Sequence, residues 1–277
     1  MKMTVATDQS LFHEYDSLTQ DLSKIFYAQM LGVVNNLDNG SKAELRNSLI
    51  QTFPEVLSPF METAAEAGAT FYEANRTLAI GGSYSAVPAR PNLVKEAVTG
   101  LVRFAVSPLG KELGTLLVTA ILAGAAQRYI SNAGRDSISL NVKRDEQAYG
   151  YARKAEPDAC AFCALMATNV YDSKQTAISV VGVDRRESGW RKKTNPKWIK
   201  VARGNQKIGD DYHDNCRCQP IPVFGTGVDP YEDIIDVNPD AEKFIDAYVA
   251  AYDMSSDAAR GTRNDAILKN MDQLLKL

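Results

Sequence analysis

The stretch YHDNCRC, residues 212–218, decides how the second half of this chain folds. It holds one of the chain's two histidines, three residues before a cysteine, and another cysteine follows after one arginine. The chain's other two cysteines form a C-x-x-C pair, which 49 residues separate from the histidine. The pattern raises three interpretations: a metal centre, a disulfide clasp or a catalytic thiol site. The five candidate side chains are Cys160, Cys163, His213, Cys216 and Cys218.

A structural zinc site is the interpretation that this pattern favours most. Two cysteines spaced x-x can converge on one ion from a tight turn, and cysteines one residue apart lie on the same side of an extended strand. Zinc prefers four tetrahedral sulfur or nitrogen ligands, so five candidates compete for four places. Four thiolates are our first prediction, with His213 donating a hydrogen bond to one of them. A site of three cysteines and His213 is the second, and either closed site would stabilise the fold rather than catalyse.

Several alternatives stay open. The cysteines can be ordinary buried residues, or they can form disulfides, which a reducing cytoplasm disfavours. A cysteine hydrolase would need His213 within hydrogen-bond reach of Cys160 or Cys163, although one catalytic thiol does not require three companions. A serine hydrolase has no G-x-S-x-G motif to support it. The other histidine, His13, is expected to be an ordinary packing or surface residue of the first helix, and we therefore assign no catalytic residue.

Composition places the chain among ordinary globular proteins. Its residues are 45% hydrophobic and 23% charged, and 277 residues suffice for one large or two modest domains. A net charge of −3 argues against nucleic-acid binding by bulk charge, though a local basic patch is compatible with it. The first ten residues lack the apolar core of a secretory signal, and the uncharged run 113–127 is too short to span a bilayer. We expect no membrane association, and folding in a cytoplasm.

The first 150 residues predict a helical body. Apolar residues recur at steps of three and four along a first helix that ends near Asn39-Gly40, with Asp8 or Ser10 as its N-cap. The segment SKAE, 41–44, is a capping box that opens a second helix. The predicted apolar stripe of the first helix consists of Leu11, Tyr15, Leu18, Leu22, Ile25, Met30, Val33 and Leu37.

Breaks divide the rest of this body into shorter predicted helices. Phe53-Pro54 is expected to end the second helix, because the residue before proline disfavours helical angles, and a third helix follows over 55–79. The glycines and prolines of 81–91 predict a loop. Two helices flank Pro108, the second of which is expected to end at Ala133-Gly134, and a further helix is predicted over 136–149.

Helical periodicity is lost from about residue 157. The segments 177–183 and 197–202 have strand composition, and 219–224 is extended by its two prolines. Helical character returns in the tail, 238–277. The fold class is therefore mainly α, with a helical body over 1–150, a small irregular α+β Cys/His module over 151–228, and a helical tail over 229–277.

A basic insert, 184–207, lies between the C-x-x-C pair, 160–163, and the segment 213–218. We call these two segments the cysteine arms. The insert carries nine lysines and arginines against two acids, for a net charge of +7, and both tryptophans of the chain. Basic loops with aromatic residues bind single strands and phosphate backbones, but a solvated hairpin whose tryptophans pack on the module is the interpretation that the segment favours. The candidate contacts to nucleic acid or a protein partner are Arg185, Arg186, Trp190, Arg191, Lys192, Lys193, Lys197, Trp198 and Lys200.

Four segments carry a family likeness, which spans about residues 10–225. Together, and in the order in which they occur along the chain, these segments resemble the MuF-like minor capsid, or head morphogenesis, proteins of tailed bacteriophages. The resemblance is closest to the actinobacteriophage branch often labelled capsid maturation protease. The segments are AGRDSI (133–138), KRDEQAYGYARKAEPDACAFCALMAT (143–168), YDS (171–173) and YHDNCRCQPIPVF (212–224).

The resemblance implies a virion protein rather than a metabolic enzyme. Its expected partners are the portal protein, the major capsid or scaffold protein, and the packaged DNA. Its expected location is the host cytoplasm during assembly and then the capsid interior or portal vertex. The residues do not support the protease label, because no catalytic set stands out beyond the five zinc candidates. A maturation protease and a zinc-dependent DNA-binding module remain the alternative functions.

Overall fold

The computed structural model is mainly α, as predicted. It describes residues 8–37, 41–108, 114–168, 170–172, 189–192, 198–201, 218–225, 238, 240–257 and 263–276. The helices are α1 (Gln9–Leu37), α2 (Lys42–Ile80), α3 (Lys95–Ala105), α4 (Gly114–Arg144), α5 (Ala161–Met166), α6 (Ala241–Met254) and α7 (Arg263–Leu274). The strands are β1 (Ala148–Lys154), β2 (Val170–Asp172), β3 (Gly189–Lys192), β4 (Trp198–Val201) and β5 (Gln219–Phe224). Among these residues no helix has the length and apolar character to cross a bilayer.

Both long N-terminal helices begin with side-chain caps that the sequence predicts. Asp8 accepts hydrogen bonds from the backbone N–H and the hydroxyl of Ser10, at 2.8 and 2.7 Å. At the start of α2 the Ser41 hydroxyl accepts from the N–H of Glu44 at 3.3 Å, and the Glu44 carboxylate accepts from the N–H of Ser41 at 2.6 Å. Hydrogen bonds from Ser10 and Ser41 lower the pKa of Asp8 and Glu44 respectively. The caps satisfy N–H groups that have no partner within the helix.

The buried face of α1 is rotated relative to the predicted stripe. Leu18 and Ile25, which were predicted to be in the core, are 41% and 53% exposed. Phe12 and Phe26 are buried instead, and the Phe26 ring meets Phe53 of α2 edge-on, with 5.8 Å between centroids. Aromatic side chains bury more area than leucine or isoleucine, so they determine which face of the helix turns inward.

The predicted helix break at Pro54 is wrong, because α2 runs without interruption through Pro54 and Pro59. Each proline removes a backbone hydrogen bond. The apolar residues on either side of them nevertheless lie on one continuous buried face, of which Leu49, Phe53 and Leu57 are fully buried. Tertiary packing of this face outweighs the local cost of the prolines.

The predicted end of a helix at Ala133-Gly134 is also wrong. Helix α4 continues through these residues to Arg144, so the predicted helix over 136–149 is its last part, and residues 148–154 form β1. A Cβ built on Gly68 of α2 would lie 2.3 Å from the carbonyl oxygen of Gly134. The glycine pair therefore allows close approach of α2 and α4 rather than ending a helix.

Two hydrophobic clusters make up the core. One is purely helical and contains residues of α1, α2, α3 and α4, from Leu22 to Ala133. The other cluster contains residues from Phe12 to Met271. It joins the start of α1, the ends of α2 and α4, strands β1 and β5, and helices α5, α6 and α7. The second cluster thus packs the cysteine-bearing segments directly on the helices. The domain boundaries given above stay predictions.

A three-stranded antiparallel sheet, in the order β2-β1-β5, anchors the second cluster. Tyr151 is opposite Pro222 and Arg153 is opposite Pro220, which confirms the extended conformation predicted for 219–224. Proline lacks the N–H that a central strand needs. Accordingly, among the described strands β5 has a neighbour on one side only.

The remaining strand and tail predictions have mixed outcomes. Strand β4 confirms the prediction over 197–202 and pairs with β3 in a separate two-stranded sheet. Helices α6 and α7 confirm the helical tail. The strand predicted over 177–183 lies outside the described residues.

The loop predicted over 81–91 is confirmed, and the non-helical segment extends to residue 94. We call 81–94 the arm. The side chain of Asn141 in α4 forms a reciprocal pair of hydrogen bonds with the backbone of the arm. Its Oδ1 accepts from the N–H of Val87 at 2.9 Å, and its Nδ2 donates to the Val87 carbonyl at 2.8 Å. The N–H of Ala89 donates to the Ser137 hydroxyl at 2.9 Å. These bonds fix the arm along α4.

A buried polar network joins the end of α2 to the turn after α4. The Nε of Arg76 lies 2.7 Å from Oδ2 of Asp145, and the Tyr72 hydroxyl donates to the same oxygen at 3.0 Å. Arg76 also donates to the Gln147 side chain at 2.8 Å and to the carbonyl of Gly81 at 3.1 Å. Burial, together with the nearby Asp145 charge, raises the pKa of Tyr72. The phenol therefore stays protonated and remains a donor.

Candidate metal centre

Three of the five predicted zinc ligands lie in the described part of the chain: Cys163 and Cys218 belong to the second hydrophobic cluster, and Cys160 packs against it. Cys160 directly precedes α5 and is half-buried, whereas Cys163 within α5 is 2% exposed. Cys218, which directly precedes β5, is 3% exposed. His213 and Cys216 lie outside the described residues. Cysteine side chains from the two cysteine arms, which are far apart in sequence, therefore pack in or against the same hydrophobic core.

The sheet register explains why the two arms come together. Lys154, the last residue of β1, is opposite Gln219, the first residue of β5. Cys218 therefore enters the sheet at the same end where the chain leaves β1 and leads into α5. This antiparallel pairing is fixed by backbone hydrogen bonds, so it places Cys218 beside the end of β1, from which the chain leads to α5.

Local helix geometry aligns the C-x-x-C pair. The carbonyl of Cys160 accepts from the N–H of Ala164 at 2.9 Å, and that of Cys163 accepts from the N–H of Ala167 at 2.9 Å. Residues three apart lie on the same helix face, so the spacing favours side chains that point the same way.

The described residues do not form a metal site by themselves. Among them, no group of three or more histidine, cysteine, aspartate or glutamate side chains is arranged to hold an ion. The donor chemistry of Cys160, Cys163 and Cys218 still suits zinc, since thiolate sulfur is one of its preferred ligands. The zinc assignment therefore remains a prediction that depends on His213 and Cys216.

The histidine that the structure does describe has the ordinary role expected for it. His13 is exposed on α1, and its ring meets Phe12 edge-on, with 6.0 Å between centroids. The interpretation of His13 as a packing or surface residue thus fits its position on the helix.

The basic insert is described only over β3 and β4. Their antiparallel register sets Trp190 opposite Lys200 and Trp198 opposite Lys192, so each tryptophan position is paired with a lysine position. Arg191 and Ile199 are also opposite each other. Arg185, Arg186, Lys193 and Lys197 lie outside the described residues. A contact role for the insert stays a prediction.

Sequence reasoning missed one group of buried charges near the site. Arg153 of β1 is fully buried, and Arg76 and Asp145 form the network described above. Arginine and aspartate are rarely buried, and no local pattern marks these positions. For Arg76 and Asp145, the partners that account for their burial are distant in sequence.

The fold and the cysteine arms define a mainly α protein that carries a small cysteine-bearing α+β unit against its helices. A family model described as VG15 protein matches residues 6–251, which covers both parts. The chain belongs to the VG15 family, and it is a phage or viral protein. No curated protein and no solved structure shows significant similarity to it.

Proposed function

We propose that this chain is a structural minor capsid protein that acts in head morphogenesis of a tailed bacteriophage. The observation that carries the proposal is the VG15 match over 6–251, which makes the chain a phage or viral protein across both its helices and its cysteine arms. The order of motifs that resembles MuF-like proteins adds the finer role. In this role the chain acts at the portal or capsid interior.

The helical body suits a docking role. Near the junction of α3 and α4 it exposes large apolar side chains: Phe104 is 65% exposed, and Leu116 and Leu117 are each 43% exposed. Exposed apolar side chains of this size are available to a protein partner when they form a patch. The partners that we propose are the portal protein and the major capsid or scaffold protein, with packaged DNA as a further contact of the basic insert.

A zinc ion would stabilise the cysteine arms in this function. Cys160, Cys163 and Cys218 supply three thiolates from one core, and Cys216 or His213 completes the set. The protein's part is to hold these side chains in place, since β1 and β5 fix the two arms against each other. The ion would supply a four-way cross-link between the two arms.

The head-protein proposal predicts that the chain is a component of assembled particles. Procapsids and mature virions purified from infected cells should contain it in few copies, and chemical cross-linking followed by mass spectrometry should join it to the portal or coat protein. A non-virion phage protein from the same lysate serves as the control for contamination. If the chain stays in the soluble fraction and is depleted from both particles to the level of that control, the proposal is wrong.

The zinc proposal predicts about one zinc ion per purified chain, because a closed site takes one ion. Cys163→Ser should remove most of this zinc and lower the melting temperature, since structural zinc contributes folding free energy. His13→Gln is the matched control and should keep the metal. His213→Gln separates the two ligand sets: zinc is retained by four thiolates and lost from a site of three cysteines and one histidine.

Two outcomes would contradict the zinc proposal. One is a chain purified without chelators that holds no zinc and has four reactive thiols. The other is a pair of disulfides found by mass spectrometry without reduction. Either result leaves the head-protein proposal standing, because particle association is measured separately.

A further inference from the structure

A cavity of about 360 Å³ lies between α4, the arm and β1. Neither the zinc proposal nor the head-protein proposal uses it. Most of its polar lining comes from one stripe of α4: Asn132, Arg135, Ser139 and Lys143. These residues follow one another at steps of three, four and four, which places them on a single helix face.

The remaining basic group comes from the arm. Arg90 lines the cavity opposite α4, and its position is fixed by the residue before it, because the N–H of Ala89 donates to the Ser137 hydroxyl of α4 at 2.9 Å. The reciprocal bonds between Asn141 and Val87 hold the same segment. One wall of the cavity is therefore formed by a segment that is hydrogen-bonded to α4 at several points.

The charges around the cavity are predominantly positive. Of the described residues that line it, Arg90, Arg135 and Lys143 are cations and Asp136 alone carries a carboxylate. Arg135 is 2% exposed, and its NH1 donates to the Asn132 side chain at 3.0 Å, whereas Arg90 and Lys143 are exposed at the rim. A concave surface with an excess of one charge concentrates ions of the opposite sign. The cavity thus has the electrostatics of an anion site.

We propose that this cavity binds a phosphate group, either as inorganic phosphate or as part of a small phosphorylated molecule. The guanidinium groups of arginine match the geometry of phosphate oxygens, and the Ser139 hydroxyl supplies a further donor. Three cations against one carboxylate suit a dianion better than a singly charged carboxylate. The volume is at the lower end of the range of about 300–1,000 Å³ for small-molecule sites, so it admits a small ligand rather than a duplex.

Titration calorimetry of the full chain tests this proposal with three ligands: inorganic phosphate, a nucleoside monophosphate and a single-stranded oligodeoxynucleotide. At least one of the two small ligands should bind saturably, and which of them binds shows whether the site takes the free phosphate or the phosphorylated molecule. Lys143→Gln and Arg90→Gln should each weaken that binding about tenfold, because each removes a charge-assisted contact. Both side chains are exposed, so the variants should keep the wild-type circular dichroism spectrum and melting temperature.

Arg144→Gln is the matched control, since Arg144 is an exposed cation next to Lys143 that does not line the cavity. It should bind phosphate like the wild type. The proposal is overturned by wild-type protein that binds neither inorganic phosphate nor the nucleoside monophosphate at millimolar concentrations, or by Lys143→Gln and Arg90→Gln variants that bind normally. An equal loss in Arg144→Gln would also overturn it, as would binding of the oligonucleotide without binding of either small ligand.

Discussion

Replacing Gly68 by alanine is expected to destabilise the protein by about 2 kcal/mol or more. The new Cβ would lie 2.3 Å from the carbonyl oxygen of Gly134 and 2.9 Å from its carbonyl carbon and Cα. These are backbone atoms of a long helix, which cannot move aside as the end of a flexible side chain can. Overpacking costs about 1–3 kcal/mol and occasionally more, which exceeds the gain of about 1 kcal/mol from replacing a helical glycine by alanine.

The same substitution at Gly124 of α4 provides the control for Gly68→Ala of α2. A Cβ on Gly124 would meet no atom within 4 Å, so Gly124→Ala should be neutral or stabilise the protein by up to about 1 kcal/mol. Urea denaturation followed by circular dichroism measures both variants under identical conditions. Equal stability of the two variants would show that α2 and α4 do not approach each other this closely.

Local signals in the sequence predicted the parts of the fold that depend on neighbouring residues. The capping box of Ser41 and Glu44 needs only two side chains and one turn of helix, and it forms as predicted. The extended segment 219–224 follows from its two prolines, whose backbone angles are restricted whatever surrounds them. The helical tail followed likewise from its composition and spacing.

Breaks and faces were predicted less well, because tertiary contacts decide them. Pro54 looks like a helix end in the sequence, yet the buried face around it keeps α2 continuous. Gly134 also looks like a helix end in the sequence, because glycine often follows the last residue of a helix. Its role in the close approach of α2 and α4 becomes clear only when Gly68 is seen beside it. Ile25 is apolar and correctly spaced, yet Phe26 takes its place in the core.

The candidate site was predicted in part. Spacing alone drew attention to Cys160, Cys163 and Cys218, and the structure places Cys163 and Cys218 in one hydrophobic cluster with Cys160 packed against it. The cavity beside α4 had no comparable signal. Its basic groups come from Arg90 and from a stripe of α4, and only the folded arm brings them together. Contacts of this kind, between residues that are distant in sequence, can be identified only from the tertiary structure.

Among contacts between residues distant in sequence, the ion pair of Arg76 and Asp145, which are 69 residues apart, is expected to contribute most to stability. Arg76→Met should destabilise the protein by about 3–5 kcal/mol, because it leaves a buried carboxylate without its countercharge. The side chain of Asp145 is 4% exposed, so water does not compensate for the loss. The Tyr72 hydroxyl and the backbone N–H of Gln147 still donate to this carboxylate, each at 3.0 Å, but two neutral donors do not replace a charge at 2.7 Å. Urea denaturation would measure the change.

An exposed ion pair shows whether burial is the cause of this effect. Lys24 and Asp21 are 2.8 Å apart on α1, with side chains 72% and 60% exposed, and such pairs contribute about 0–1 kcal/mol. Lys24→Met should therefore leave stability nearly unchanged. A double variant, Arg76→Met with Asp145→Leu, should recover much of the loss, since it removes the stranded charge. If Arg76→Met costs no more than Lys24→Met, the buried pair does not hold α2 against the turn after α4.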